Sequence, residues 1–110
     1  MVALLGAYQS SVTKTSSEVA ERYHVPYLNG DSSSPDLTER GYKWYFRTFP
    51  HDAMFAKQHV EFVKWLNDKY GANIKRIAII HEDTEFGTKC AEAWNKYFKE
   101  AGFEIVKVVS

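Results

Sequence analysis

The segment from Arg76 to Val109 leaves the fewest folds open. Arg76-Ile77-Ala78-Ile79-Ile80-His81 is a near-continuous aliphatic run of strand length. Phe86, Cys90, Trp94, Tyr97, Phe98 and Ala101 then recur at helical spacing until Gly102 stops the pattern. Phe103 to Val109 is apolar again, so the segment predicts strand, helix, strand. Such a βαβ unit has a right-handed crossover and parallel strands, and its strands read as unbroken aliphatics when both faces are covered. The expected fold class is α/β, built from Rossmann-like βαβ units on a parallel sheet.

The chain upstream fits the same plan. Met1 to Ala7 is an apolar run broken only by Gly6, short enough for a strand buried on both faces. Val12, Val19, Ala20 and Tyr23, with small Ser16 between them, fall at helical spacing, and Ser10 or Ser11 can cap that helix. His24-Val25-Pro26 ends it, because proline disfavours helical geometry in the residue before it, and Tyr27-Leu28 reads as a second strand. Asn29 to Gly41 is a long polar connection holding three consecutive serines, with Pro35 to Thr38 fit for a helical turn. The aromatic-rich stretch Tyr42 to Phe49 favours a strand, which Pro50 stops. From Asp52, a good N-cap, Ala56, Val60, Val63 and Tyr70 trace one helical stripe, widened by Phe55, Phe62 and Leu66, up to Gly71.

Composition removes several function classes. Fourteen Lys and Arg balance fourteen Asp and Glu without a basic cluster, which argues against a nucleic-acid partner. Cys90 is the only cysteine, so no internal disulfide forms, and nothing near it has zinc-site spacing. No apolar run is long enough to span a bilayer, and the N-terminus lacks the basic and apolar regions of a signal peptide. GxxxxGK[ST], GxGxxG and GxSxG are all absent, so nucleotide cofactors and a nucleophile elbow have no support. No cofactor, metal or catalytic residue is expected. With 110 residues, 45% of them hydrophobic, the chain suits one globular core by length alone.

In an open parallel sheet, ligands sit beyond the carboxyl ends of the strands. Three places qualify. Ser10 and Ser11 follow the first strand, and Ser32 to Ser34 follow the second; their hydroxyls and backbone donors suit a carboxylate. The same serines also suit a helix cap and a solvated turn. The third place, His81 to Gly87, clusters carboxylates at a strand end, as a metal or phosphoacceptor site would. Capping of the next helix by Asp83 or Thr84, with Glu85 in its first turn, accounts for them more simply.

These residues resemble a family. Gly6-Ala7-Tyr8-Gln9-Ser10-Ser11-Val12-Thr13, Val25-Pro26, Ser32-Ser33-Ser34-Pro35-Asp36-Leu37-Thr38, Gly41-Tyr42, Phe46-Arg47-Thr48 and Ile77 to Phe86-Gly87 occur in the order found in type I periplasmic binding proteins, the leucine-binding-like group that serves ABC transporters. The resemblance covers almost the whole chain and lies in order and spacing rather than in one motif. It implies two α/β lobes closing over an amino acid or related small carboxylate, with no catalysis and with a membrane permease as partner. It implies Ser10, Ser11, Ser32 and Ser33 as ligand contacts, and Phe86 as an aromatic contact from the second lobe. Residues 1–49 would belong to lobe one and 50–110 to lobe two, as the central fragment of a longer periplasmic or extracellular parent. The alternative is a self-associating homo-oligomeric fragment that buries its open sheet edges and binds no solute.

Overall fold

Parallel strands joined by crossover helices organise both halves of the computed structural model, which describes residues 1–110. The chain forms two compact units, Met1–His51 and Asp52–Ser110.

In the first unit, β1 (Leu4–Leu5), α1 (Ser10–Arg22), β2 (Tyr27–Asn29), α2 (Asp36–Glu39) and β3 (Tyr45–Arg47) follow one another. The sheet has the order β1-β2-β3 with every pair parallel. Its register sets Leu4, Tyr27 and Tyr45 side by side in one row, and Leu5, Leu28 and Phe46 in the next. Side chains alternate between faces along a strand, so the two rows point opposite ways. Tyr27 and Tyr45 form the core with Ala20 of α1 and Leu37 of α2, and Leu4 and Tyr42 pack against them. Leu5, Leu28 and Phe46 are exposed, which corrects the expectation of a first strand buried on both faces.

Helix α1 differs from its expected pattern in two ways. Its N-cap is Gln9, with no side-chain cap bond, so neither Ser10 nor Ser11 caps it. Its buried residues are Ser10, Thr13, Ser17 and Ala20, whereas Val12, Val19 and Tyr23 are exposed. The buried hydroxyls are satisfied locally: Ser17 Oγ donates to Lys14 O at 3.2 Å and accepts from Arg40 Nη2 at 2.6 Å. The helix ends as expected near His24, which takes the left-handed conformation at φ 55°, while Val25 N–H returns to Ala20 O and His24 N–H to Glu21 O.

Strand β3 is shorter than the Tyr42–Phe49 stretch predicts. The N–H groups of Lys43 and Trp44 go to the Glu21 carboxylate instead of a strand ladder, at 2.9 to 3.1 Å.

The second unit holds α3 (Asp52–Tyr70), β4 (Arg76–Ile80), α4 (Glu85–Glu100) and β5 (Glu104–Val109), with β4 and β5 parallel. This is the predicted βαβ unit. Helix α3 buries Asp52, Ala56 and Val60, one residue per turn, while Phe62 and Tyr70 lie outside the core. Helix α4 buries Gly87, Cys90, Ala91 and Phe98. Thr84 caps it, accepting the Gly87 N–H at 3.1 Å, and donates to Glu82 Oε1 at 2.6 Å, so this loop is a helix start as expected. Gly102 at φ 89° stops it, and Phe103 closes edge-on over Phe98 at 5.4 Å.

Candidate functional site

Beyond the C-terminal ends of β1 and β2, two loops are stitched together by polar groups. The key is Asn29, the last residue of β2 and fully buried. Strand alternation turns it to the same side as Tyr27. Its Nδ2 donates to Ala7 O at 2.8 Å, across to the first loop, while its Oδ1 receives Ser32 N–H at 2.8 Å and Asp31 N–H at 3.3 Å. The second loop therefore begins as an Asx turn and is anchored to the end of β1. Close approach is possible because residue 6 is glycine: a Cβ there would overlap the Tyr27 ring and lie 2.7 Å from Asn29 Nδ2. Tyr27 adds a tie from below, its hydroxyl accepting Ala7 N–H and meeting Ser16 Oγ, each at 2.9 Å.

The predicted site residues separate into distinct roles. Ser32 is buried and structural: its hydroxyl lies 2.6 Å from Thr13 Oγ1 and 3.0 Å from both Ala7 O and Tyr8 O. Ser10 is buried at the start of α1 and accepts Ser34 N–H at 3.4 Å, so the structure does bring the two serine loops together. Ser33, although 3% exposed, makes no hydrogen bond within the protein. Beside it in the chain, the Ser34 hydroxyl is buried without a partner. Ser11 is exposed and lines a shallow groove along the flank of α1 with Val12, Thr15, Ser16 and Val19. Phe86 stands in the first turn of α4 in the second unit, 44% exposed and off the buried stripe of its helix.

Three further residues build the site without having been singled out from the sequence as site residues. Thr13 and Asn29 form the buried polar hub with Ser32. Arg47, at the end of β3, reaches under the second loop: its Nη1 donates to Ser34 O at 2.7 Å and Ser32 O at 3.3 Å, and its Nη2 to Thr38 Oγ1 at 3.1 Å. For Asn29 the available signal was its place two residues after a core tyrosine on a strand; for Arg47 it was a cation inside an aromatic strand. Arg40 is likewise engaged, donating to Lys14 O at 3.0 Å and lying 4.2 Å over the Tyr42 ring. The Tyr45 hydroxyl is buried without a partner, and this burial pushes its pKa above the usual tyrosine range.

Chemically, the pair of loops offers neutral donors: a free serine, hydroxyls and backbone amides. Such a set holds an anionic oxygen without a formal countercharge.

Comparison with known proteins bears on the fold and the family. The family model described as "Periplasmic binding protein" matches residues 1–110. The Leu/Ile/Val-binding protein homolog 7 of Brucella abortus (strain 2308) is 32% identical over 106 residues, covering 94% of this chain and 27% of that protein. The homolog 8 protein of the same strain is 32% identical over 107 residues, with the same shares covered. An ABC transporter substrate-binding protein of Desulfitobacterium hafniense, solved in complex with Leu, superposes with a TM-score of 0.84 at 25% identity, covering all of this chain and 31% of that one. A second structure described as an ABC transporter substrate-binding protein from that organism gives 0.81 at 27% identity, covering 98% of this chain and 30% of that one. The chain thus spans 27% of the length of these curated relatives. Matched along its whole length and sharing the parallel α/β architecture of the type I group, the chain belongs to the periplasmic binding protein family.

Proposed function

We propose that this chain contributes the carboxylate-gripping loops of a receptor that binds an amino acid, or a closely related small carboxylate, for uptake through the membrane permease of an ABC transporter. The observation that carries this reading is Ser33: a buried serine with no internal hydrogen bond, held at the strand ends next to Ser10 and the partnerless Ser34 hydroxyl. Buried polar groups ordinarily find partners, so these are donors awaiting one. The names of the relatives and the leucine held by one structural neighbour favour a branched-chain amino acid. Arg47 and Arg40 engage protein acceptors, so these loops present no cation committed to a second carboxylate, and a zwitterion suits them better than a dicarboxylate.

On this reading residues 1–49 belong to one lobe and 50–110 to the other, the receptor works in the periplasm or outside the cell, and binding involves no catalytic step. Ser10 and Ser33 contact the carboxylate, Ser32 sets the loop, and Ser11 and Phe86 are secondary contacts.

Calorimetric titration and thermal unfolding of the complete gene product with leucine, isoleucine, valine, glutamate and leucinamide test this. Leucine-type ligands are expected to bind and to raise the melting temperature, a ligand at 100 times its Kd adding about 2.7 kcal/mol. Leucinamide and glutamate are expected to fail, and Ser33→Ala and Ser10→Ala each to weaken binding roughly tenfold or more. A protein that binds none of the amino acids overturns the proposal.

A further inference from the structure

We infer that Arg47 is the positioning residue of this binding site: by holding the Ser32 and Ser34 carbonyls from behind, it turns the Ser33 amide outward as the free backbone donor of the buried serine turn. The inference rests on the binding function proposed above and adds to it a residue that acts through the loop without touching ligand.

The backbone donors of the loop can be counted. Asp31 N–H and Ser32 N–H both go to Asn29 Oδ1, Ser34 N–H goes to Ser10 Oγ, and Pro35 has none to give. Ser33 N–H remains without an acceptor at the buried turn, and Gly30 N–H at the exposed start of the loop. The direction of the Ser33 N–H is set by the carbonyl of the same peptide group, because in a trans peptide the C=O and N–H point opposite ways. That carbonyl is Ser32 O, which receives Arg47 Nη1 at 3.3 Å. The Ser33 N–H therefore faces away from the guanidinium. The same nitrogen holds Ser34 O at 2.7 Å on the other side of Ser33, and Nη2 holds Thr38 Oγ1 at 3.1 Å, so three points of the loop and the following helical turn hang on one planar group. A lysine ammonium is a point charge on a flexible stem and does not reproduce that fork. A polarised peptide whose carbonyl is bound by a cation is also a better N–H donor on its far side.

The test uses the complete gene product and two readouts. Leucine titration of Arg47→Lys and Arg47→Ala is expected to show roughly a ten- to hundredfold weaker Kd, the loss of one well-aimed donor to a carboxylate. In the ligand-free protein, ¹⁵N relaxation is expected to show the Ser33 amide falling from rigid values near about 0.85 to below about 0.6 in both variants. The β2 and β3 amides are expected to stay rigid. Guanidinium ion added below denaturing concentration is expected to restore leucine affinity to Arg47→Ala and not to Arg47→Lys, whose ammonium blocks the site. A role in general stability alone predicts neither the rescue nor the confinement of mobility to the loop. Retained affinity in both variants, or an unchanged Ser33 order parameter, overturns the inference. If the wild-type protein binds no amino acid, the binding proposal fails while the relaxation readout still decides the role of Arg47. If Arg47→Ala fails to fold, Arg47→Lys carries both measurements.

Discussion

The side-chain amide of Asn29 joins two backbone segments 25 positions apart in sequence, donating to Ala7 O at 2.8 Å while its oxygen receives Ser32 N–H at 2.8 Å. Replacing it with leucine keeps the branched shape and removes these bonds, leaving the Ser32 N–H and the Asp31 N–H without their acceptor, while Ala7 O keeps the Ser32 and Thr13 hydroxyls. Each such group costs about 1 to 3 kcal/mol, so Asn29→Leu is expected to lose about 2 to 5 kcal/mol in denaturant unfolding. A loss smaller than about 1 kcal/mol would mean that water replaces the amide and that Asn29 does not organise the loops.

Gly6 lies directly against this hub. A methyl group there meets the Tyr27 ring and Asn29 Nδ2, neither of which has a free direction to move, because both are buried and hydrogen-bonded to the Ala7 peptide groups. Gly6→Ala is expected to destabilise by about 1 to 3 kcal/mol through overpacking, and to weaken leucine binding as well by shifting the first loop. Equal affinity with lowered stability would separate the hub from the ligand site.

Glu21 supplies a pH signature. Its carboxylate accepts the Lys43 N–H and the Trp44 N–H, and these bonds, that to Lys43 foremost, hold its pKa below the ordinary 4.5. A carboxyl group with a lowered folded-state pKa stabilises the protein above its unfolded value and loses that contribution as pH falls through the folded one. Thermal midpoints are therefore expected to drop from about pH 4.5 downward, more steeply in the wild type than in Glu21→Gln. Parallel midpoint curves for the two proteins would remove Glu21 as the acid-sensitive link between α1 and the start of β3.

The element order and the parallel pairing could be read from the sequence because the aliphatic runs, the Thr84 cap and the Gly102 stop are local signals. The buried face of α1 could not. Periodicity of apolar residues points to Val12, Val19 and Tyr23, but the helix packs with Ser10, Thr13 and Ser17, whose hydroxyls find acceptors or donors that a pattern of apolar residues does not count. The same limit governs the site. Serines at strand ends are visible as candidates by position, whereas the division of labour among Ser10, Ser32 and Ser33 depends on partners 19 to 25 residues away. Thr13→Val isolates this point: it is nearly isosteric, removes the 2.6 Å contact with Ser32 Oγ, and is expected to cost about 1 to 3 kcal/mol where an apolar-stripe reading predicts a gain.

Cys90 and Asp52 give the last prediction, in the second unit. The thiol donates to Asp52 Oδ1 at 3.2 Å, both residues are buried, and Asp52 Oδ2 has no partner. Burial, and then the hydrogen bond to Asp52, push the thiol pKa far above the ordinary 9.0. Because the thiolate is the nucleophile, native Cys90 is expected to resist a disulfide reagent at pH 8 and to react only at the rate of unfolding. The linkage has the opposite sign to that of Glu21. Above about pH 9 the unfolded chain releases the thiol proton and the folded chain keeps it, so stability falls with rising pH, and this slope is absent in Cys90→Ala. That variant also leaves Asp52 Oδ1 without its donor, at a cost of about 1 to 3 kcal/mol at neutral pH, which Cys90→Ser recovers in part. Rapid labelling of the native protein would show that the α3–α4 contact opens far below the global unfolding barrier, and that the Asp52–Cys90 bond does not hold it closed.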